Sequence, residues 1–279
     1  EPLKNLTGIF FWIYYILKHN IDIVFSKWGY VSLPLCIAAY ILRKDIYIHE
    51  SDVVWWVANR LISKMATKVF YSFDNKKTLK HADRWDKAKH ISVGQILNPE
   101  LLDYITSLEV KENEKLEVLV IAGSQGSTTI FENLIKILPD LWDINLTVIL
   151  WEKNLHFKEQ FQKHFQVTVH DFVDQKTLGK IYKTTDIAIT RAWATTLWEL
   201  NNFGIHSIIV PLKNSAANHQ QSNADYFAEA FGSNVLDEDN NLSLELFRLI
   251  QQYKELRKSG FNLNDFFKPL KRIDTDVEK

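Results

Sequence analysis

Glycine is scarce in this chain. Nine glycines among 279 residues are fewer than half of what an average glycine content of roughly 7% would supply. Tryptophan also reaches nine, so the shortage is not one of small and bulky residues alike. Cys36 is the only cysteine and lies in an apolar run, which excludes an internal disulfide and fits a reducing compartment. Charge of one sign is missing too. With 33 basic and 34 acidic side chains and a net charge of -1, the chain lacks the basic excess of a general nucleic-acid binder, and no nucleic-acid partner is expected. The apolar run at residues 9–17 is about half of the ~20 residues that span a bilayer. The start has neither methionine nor a basic segment leading to a cleavage site, so a truncated start is expected rather than a signal peptide.

What is present is the composition of a globular enzyme-sized chain. Hydrophobic residues make up 46% and charged residues 24%, and the length suits two domains with separate cores. Short β-rich runs alternate with longer amphipathic ones, the pattern of βαβ units feeding a parallel sheet. In the first half strands are expected at 22–25, 45–48, 68–71 and 90–93, with helices at 33–42 and 53–65. In the second half strands are expected at 116–122, 146–150, 167–170, 186–190 and 207–211, and a helix at 242–267. The charged stretch EVKENEK at 109–115 restarts in the buried-strand run LEVLVIAG. A domain boundary near 108 follows, giving domains at 1–108 and 109–279.

Three strand-to-helix junctions in the second half carry chemistry. LEVLVIA runs into Gly123, Ser124, Gln125, Gly126, Ser127 and Thr128. The glycines permit close backbone approach, Ser127 or Thr128 can cap the following helix, and the free N–H groups of that helix can face an anion. An ordinary capped turn accounts for this motif equally well. DIAIT ends at Thr190 and leads through Arg191, Thr195 and Thr196 to Glu199, a carboxylate placed to accept from both hydroxyls of a ribose or simply an acid favoured near a helix start. After Val210 and Pro211, the polar group Asn218, His219, Gln220 and Gln221 again opens a helix. These side chains can donate to a diphosphate or be solvated as any loop is. Three such junctions converging on one crevice favour a nucleoside diphosphate. No G-x-G-x-x-G follows a strand, which weighs against a nicotinamide oxidoreductase.

AGSQGS at 122–127, RAWATTLWE at 191–199 and VPLKNSAANHQQSNA at 210–224, in this order, resemble the motifs of the MurG family of N-acetylglucosaminyltransferases. In the first half FSKWGYVSLPL at 25–35 and IHESDVVWWVANRLIS at 48–63 resemble that family's second glycine loop and its HEQN segment. The resemblance implies an α/β fold of two Rossmann-like parallel-sheet domains facing a cleft (GT-B type), with the first βα unit missing. It implies an inverting transfer from UDP-N-acetylglucosamine (UDP-GlcNAc) to the muramoyl C4 hydroxyl of undecaprenyl-linked lipid I, with no tightly bound cofactor or metal. Donor contacts would fall to Ser124, Gln125, Gly126, Val173 (through its backbone to the uracil), Thr195, Thr196, Glu199, His219 and Gln220. The acceptor side would involve Gly29, Tyr30, His49, Glu50 and Asp52, although Asp52 stands where the family has asparagine.

The family's general base lies in a first glycine-rich loop that has no counterpart here, so no base is assigned and little transferase activity is expected of this chain. A membrane-facing patch would comprise Phe10, Phe11, Trp12 and Tyr14, placing the protein on the cytoplasmic face of the plasma membrane; a buried core helix is the alternative for this run. Another GT-B lipid glycosyltransferase, or a non-catalytic UDP-sugar binder, are the rival readings. Trp28, Trp56 and Trp193 stand where the family has glycine, which suggests that some tryptophan codons are UGA read as glycine in the source cell.

Overall fold

The structure, a computed structural model, describes residues 2–27, 29–74, 89–105, 115–123, 127–213, 215, 218–239 and 241–259. The chain divides into two compact units, Glu1–Ile96 and Leu97–Lys279, each built on a parallel sheet.

The first unit opens with helix α1 (Pro2–Lys18) and continues through β1 (Ile23–Ser26), α2 (Gly29–Ile41), β2 (Asp45–Glu50), α3 (Val57–Met65), β3 (Lys68–Tyr71) and β4 (His90–Ser92). Its sheet runs in the order β1-β2-β3-β4, and every pair is parallel. Val24, Ile46, Ile48 and Val69 join Ile16, Cys36, Ala38, Ala39, Trp55 and Ile62 in one core. The run expected to be a membrane-facing patch or a buried core helix lies on a helix with two unlike faces: Ile16 is buried and Trp12 packs partly against the core, while Phe10, Phe11 and Tyr14 are exposed. Gly29 opens α2 and the helix tolerates Pro34 within it, so this helix begins earlier than the sequence suggests. α3 begins later, because residues 51–56 form the turn that leads into it.

The second unit contains α4 (Pro99–Ile105), β5 (Leu116–Ile121), α5 (Thr128–Ile137), β6 (Ile144–Ile149), α6 (Lys158–Gln162), β7 (Val167–His170), α7 (Gln175–Thr184), β8 (Ile187–Thr190), α8 (Ala194–Asn202), β9 (His206–Ile209), α9 (His219–Phe231), β10 (Asn234–Val235) and α10 (Leu242–Lys258). Helix α4 lies on the first-half side of the expected boundary, yet Leu101 and Tyr104 pack with Leu178, Tyr182 and Leu119 of this unit. The short strand β10 has no strong β-run in the sequence; it exists because Asn234 and Val235 pair with Ile208 and Ile209 at the sheet edge. Residues 260–267 of the expected last helix lie outside the described residues.

The second sheet runs β10-β9-β8-β5-β6-β7. Leu116, Val118, Val120, Ile187, Ile189 and Ile208 point to one face, under α5 and α10. Leu119, Ile121 and Ala188 point to the other. Apolar side chains on both faces are what a parallel sheet covered on both sides requires, and they explain why these strands read as unbroken apolar runs.

Candidate functional site

The strand order of the second sheet creates a topological switch. From β5 the chain moves outward through β6 to β7, then returns to the other side of β5 for β8, β9 and β10. In such sheets the crevice outside the carboxyl ends at this point is the ligand position. The strand ends here are level, since Ile121 pairs in register with Thr190 and Thr190 with Ile209. Thr190 Oγ1 donates to the Ile121 carbonyl at 2.7 Å, and the Val210 N–H donates to the Thr190 carbonyl at 2.8 Å. Three junctions separated in sequence therefore leave the sheet side by side.

Each junction feeds a helix, and the three helices begin alike. α5, α8 and α9 carry no acidic residue in the first turn, and in none does the side chain of the cap residue make a cap hydrogen bond; at α9 the Gln220 N–H donates instead to Ser215 Oγ at 3.3 Å. Ser127, at the cap position of α5, makes no cap bond, contrary to the capping role the sequence suggests. Its Oγ is buried with no partner among the described residues. Helix starts whose cap residue offers no side-chain acceptor and whose first turn carries no acid together favour an anion. Elsewhere the chain does cap: Asp174 accepts from the Thr177 N–H at 2.7 Å at the start of α7.

Glu199, in the second turn of α8, is only 9% exposed. One carboxylate oxygen, Oε2, accepts from Tyr182 Oη at 3.0 Å. Burial pushes the Tyr182 hydroxyl far above the usual phenol range, and the neighbouring Glu199 pushes it further, so the hydroxyl stays a donor. Gln220 is buried at the start of α9, and its Oε1 accepts from the Leu212 N–H at 2.9 Å, which fastens the β9–α9 loop. The Trp193 and His219 rings lie 5.9 Å apart, and Asn223 Nδ2 donates to the Ala192 carbonyl at 3.1 Å. Thr195 and Thr196 are half-buried on the first turn of α8. Ser124, Gln125 and Gly126 lie outside the described residues.

Val173 follows β7, at the far side of the sheet from β9, and its side chain is buried with Leu178 and Tyr182. Arg191, quoted in the sequence motif without a role, bonds to the Val210 carbonyl at 3.0 Å and pairs with Glu238. Tyr182 and Glu238 escaped the sequence reading because neither sits in a junction; only the fold brings them to it. Among the described residues no three His, Cys, Asp or Glu side chains cluster as metal ligands do.

In the first unit the acceptor-side candidates fall into two groups. His49 and Glu50, at the end of β2, are fully buried. His49 Nε2 lies 2.9 Å from the Gly94 carbonyl, and burial holds its pKa below the usual imidazole range. Glu50 accepts from the Asp52 N–H at 3.1 Å, the Trp56 N–H at 3.3 Å and Asn59 Nδ2 at 2.8 Å. These bonds hold the turn between β2 and α3, as a carboxylate taken out of water must be held. Asp52 Oδ2 accepts from Trp56 Nε1 at 2.8 Å, Tyr30 is exposed on α2, and Gly29 is its first residue. Of the aromatic patch, Phe10, Phe11 and Tyr14 are exposed on α1, whereas Trp12 turns partly into the core. No helix among the described residues is long and apolar enough to cross a membrane.

Two parallel α/β units in tandem, the second presenting three acid-free helix starts and a buried carboxylate at a topological switch, define an α/β protein of the GT-B kind. Residues 117–265 match the glycosyltransferase family 28 C-terminal domain and residues 1–71 the glycosyltransferase family 28 N-terminal domain. The UDP-N-acetylglucosamine--N-acetylmuramyl-(pentapeptide) pyrophosphoryl-undecaprenol N-acetylglucosamine transferase of Aquifex aeolicus is 32% identical over 86% of this chain and 69% of its own length. The transferase of the same name from Sulfurihydrogenibium is 29% identical over 84% of this chain and 64% of its own length. This chain thus belongs to glycosyltransferase family 28 and, within it, to the MurG family. It spans about two thirds of the length of those relatives. The crystal structure of Acinetobacter baumannii MurG superposes with a TM-score of 0.69 at 21% identity, covering 96% of this chain and 76% of that one. The UDP-GlcNAc 2-epimerase of Neisseria meningitidis, bound to UDP-GlcNAc, superposes with a TM-score of 0.67 at 12% identity, covering 95% and 76%. Both likenesses show the fold.

Proposed function

We propose that the second unit binds UDP-GlcNAc and that the protein transfers its N-acetylglucosamine, with inversion, to the muramoyl C4 hydroxyl of lipid I. The observation that carries this reading is the set of three acid-free helix starts at level strand ends. The diphosphate sits against these N–H groups, which stabilise the charge that develops on the leaving UDP. Ser127 Oγ and the loop bearing Ser124, Gln125 and Gly126 add donors to it. Glu199 accepts from the ribose hydroxyls, with Thr195, Thr196, His219 and Gln220 around the sugar-diphosphate and the backbone at Val173 toward the uracil. No metal or tightly bound cofactor is part of this reading.

The first unit takes the lipid-linked acceptor. Gly29, Tyr30 and Asp52 contribute to its acceptor side, with His49 and Glu50 holding the turn behind them. The exposed aromatic face of α1 rests on the cytoplasmic surface of the membrane that carries the acceptor. A base must remove the acceptor proton. His49 does not suit that role, because its ring is buried and engaged with the Gly94 carbonyl.

Titration calorimetry with UDP, ADP and GDP tests the donor half: UDP binds, and Glu199→Ala weakens it by roughly tenfold or more. Absence of UDP binding overturns the reading. An assay of the full reading frame that contains this chain, with lipid I and diacylglycerol as competing acceptors, tests the other half. Transfer to diacylglycerol alone would make the protein a different lipid glycosyltransferase.

A further inference from the structure

We propose that Tyr182 is a positioning residue for nucleotide recognition, orienting the Glu199 carboxylate from behind through the hydrogen bond to Oε2. The inference rests on the donor reading above. Tyr182 is fully buried and packs on Phe203, ring centroids 5.1 Å apart, inside the cluster that holds Leu119, Ile121 and Ala188 of the sheet. A buried phenol must find a partner for its hydroxyl, and the partner here is Glu199 at 3.0 Å.

The helix that carries Tyr182 is itself fixed. Asp174 caps its start. One turn before Tyr182, Gly179 allows Tyr104 of α4 to approach so closely that a Cβ at position 179 would lie 2.7 Å from its ring. A glutamate has three side-chain torsions to order before it can bind a ribose, and ordering them costs entropy at each binding event. The bond to Tyr182 restricts them in advance. An ionised carboxylate has about four acceptor positions, and the bond to Tyr182 occupies one of them.

The test compares UDP with 2′,3′-dideoxy-UDP by calorimetry, on the chain and on Tyr182→Phe, Glu199→Gln and the double variant. Phenylalanine keeps the ring packing, and circular dichroism verifies the fold. Tyr182→Phe is expected to lower UDP affinity roughly tenfold, the scale of one hydrogen bond to a charged group. It should leave dideoxy-UDP affinity nearly unchanged, so the preference for the ribose collapses. In the Glu199→Gln background Tyr182→Phe should cost nothing further. Full ribose preference in Tyr182→Phe, alongside its loss in Glu199→Gln, overturns the inference and leaves the donor reading standing. If the unaltered chain does not bind UDP, both fall.

A separate observation concerns Trp151. Its backbone sits at φ 62, ψ 161, a region that essentially only glycine occupies. Its indole Nε1 is buried with no partner among the described residues, an exception in folded proteins. The neighbouring backbone is nonetheless firmly placed, because the Trp151 N–H donates to the Asp171 carbonyl at 3.0 Å and the Leu150 N–H to the His170 carbonyl at 3.0 Å. The geometry points to glycine as the residue that the source cell inserts at position 151, through a UGA codon read there as glycine. The chain-wide shortage agrees, since its glycines would double in number if all nine tryptophans were glycine. Tandem mass spectrometry of the protein isolated from its source cells should give a glycine mass at position 151. In recombinant protein Trp151→Gly should shift the Tm upward. An indole mass at that position, or a fall in Tm, overturns the inference.

Discussion

Arg191 and Glu238, 47 residues apart in sequence, form an ion pair in which the side chains are 4% and 10% exposed. The arginine also donates to the Val210 carbonyl, and Lys213 Nζ reaches the Glu238 carbonyl at 3.0 Å. The pair thus ties the segment before α10 to the ends of β8 and β9, directly under two of the three junctions.

Truncating one partner strands the other charge in a dry environment. Arg191→Ala is expected to destabilise the second unit by about 3–5 kcal/mol, read by urea denaturation, and to weaken UDP binding because two junctions lose their anchor. Replacing both partners with apolar residues of similar volume should recover much of the stability but not the binding.

Gly123 has φ +76, and a Cβ there would lie 2.7 Å from Trp193 Nε1. Gly123→Ala should therefore cost about 1–3 kcal/mol from the backbone alone, with a steric penalty added. Combining it with Trp193→Gly should relieve the steric part and leave the backbone part, a difference visible in paired denaturation curves.

The buried Glu50 and His206 should contribute to stability with opposite dependence on pH. Burial pushes the Glu50 carboxyl up to about 7, against opposing bonds from Asn59, Asp52 and Trp56, with Asp52's charge adding to the rise. A raised carboxyl favours the folded state fully below its unfolded value near 4.5, and that contribution is lost as pH rises through about 7. Burial lowers His206 to about 4, partly offset by its bond to Asn234. A lowered histidine favours the folded state above about 6.5, and that contribution is lost as pH falls through about 4. Hydrogen exchange resolved by peptide between pH 4 and 7 should show a Glu50 contribution that loosens the first unit as pH rises, set against the lowered pKa of His49 beside it, and a His206 contribution that loosens the second unit as pH falls. Glu50→Gln and His206→Gln should each flatten one of the two trends.

Phe10 is 71% exposed and Phe11 57%. If this face enters a bilayer interface, each ring contributes up to ~1.5–3 kcal/mol. Phe10→Ser with Phe11→Ser should lower binding to phospholipid vesicles by roughly a hundredfold or more, measured by co-sedimentation, while leaving UDP affinity unchanged. Trp12→Ser should instead lower thermal stability, because Trp12 contributes to the core.

Much of this protein is legible in its residues taken in order. The unbroken run LEVLVI at β5 needs no partner information to be read as a strand buried on both faces, since a parallel sheet covered by helices leaves it no polar side. The junctions after 121, 190 and 209 are local too, for a strand followed by small or polar residues and an amphipathic run states its own turn. Membership of the MurG family was written in those phrases. The tertiary structure decided what depends on residues far apart in sequence: that the three strand ends are level, that Glu199 meets Tyr182 and Arg191 meets Glu238, that Trp12 turns inward, and that His49 and Glu50 are sealed. A hydrogen bond or a burial is a property of two neighbours, and the choice of neighbour is made by the packing of whole sheets and helices.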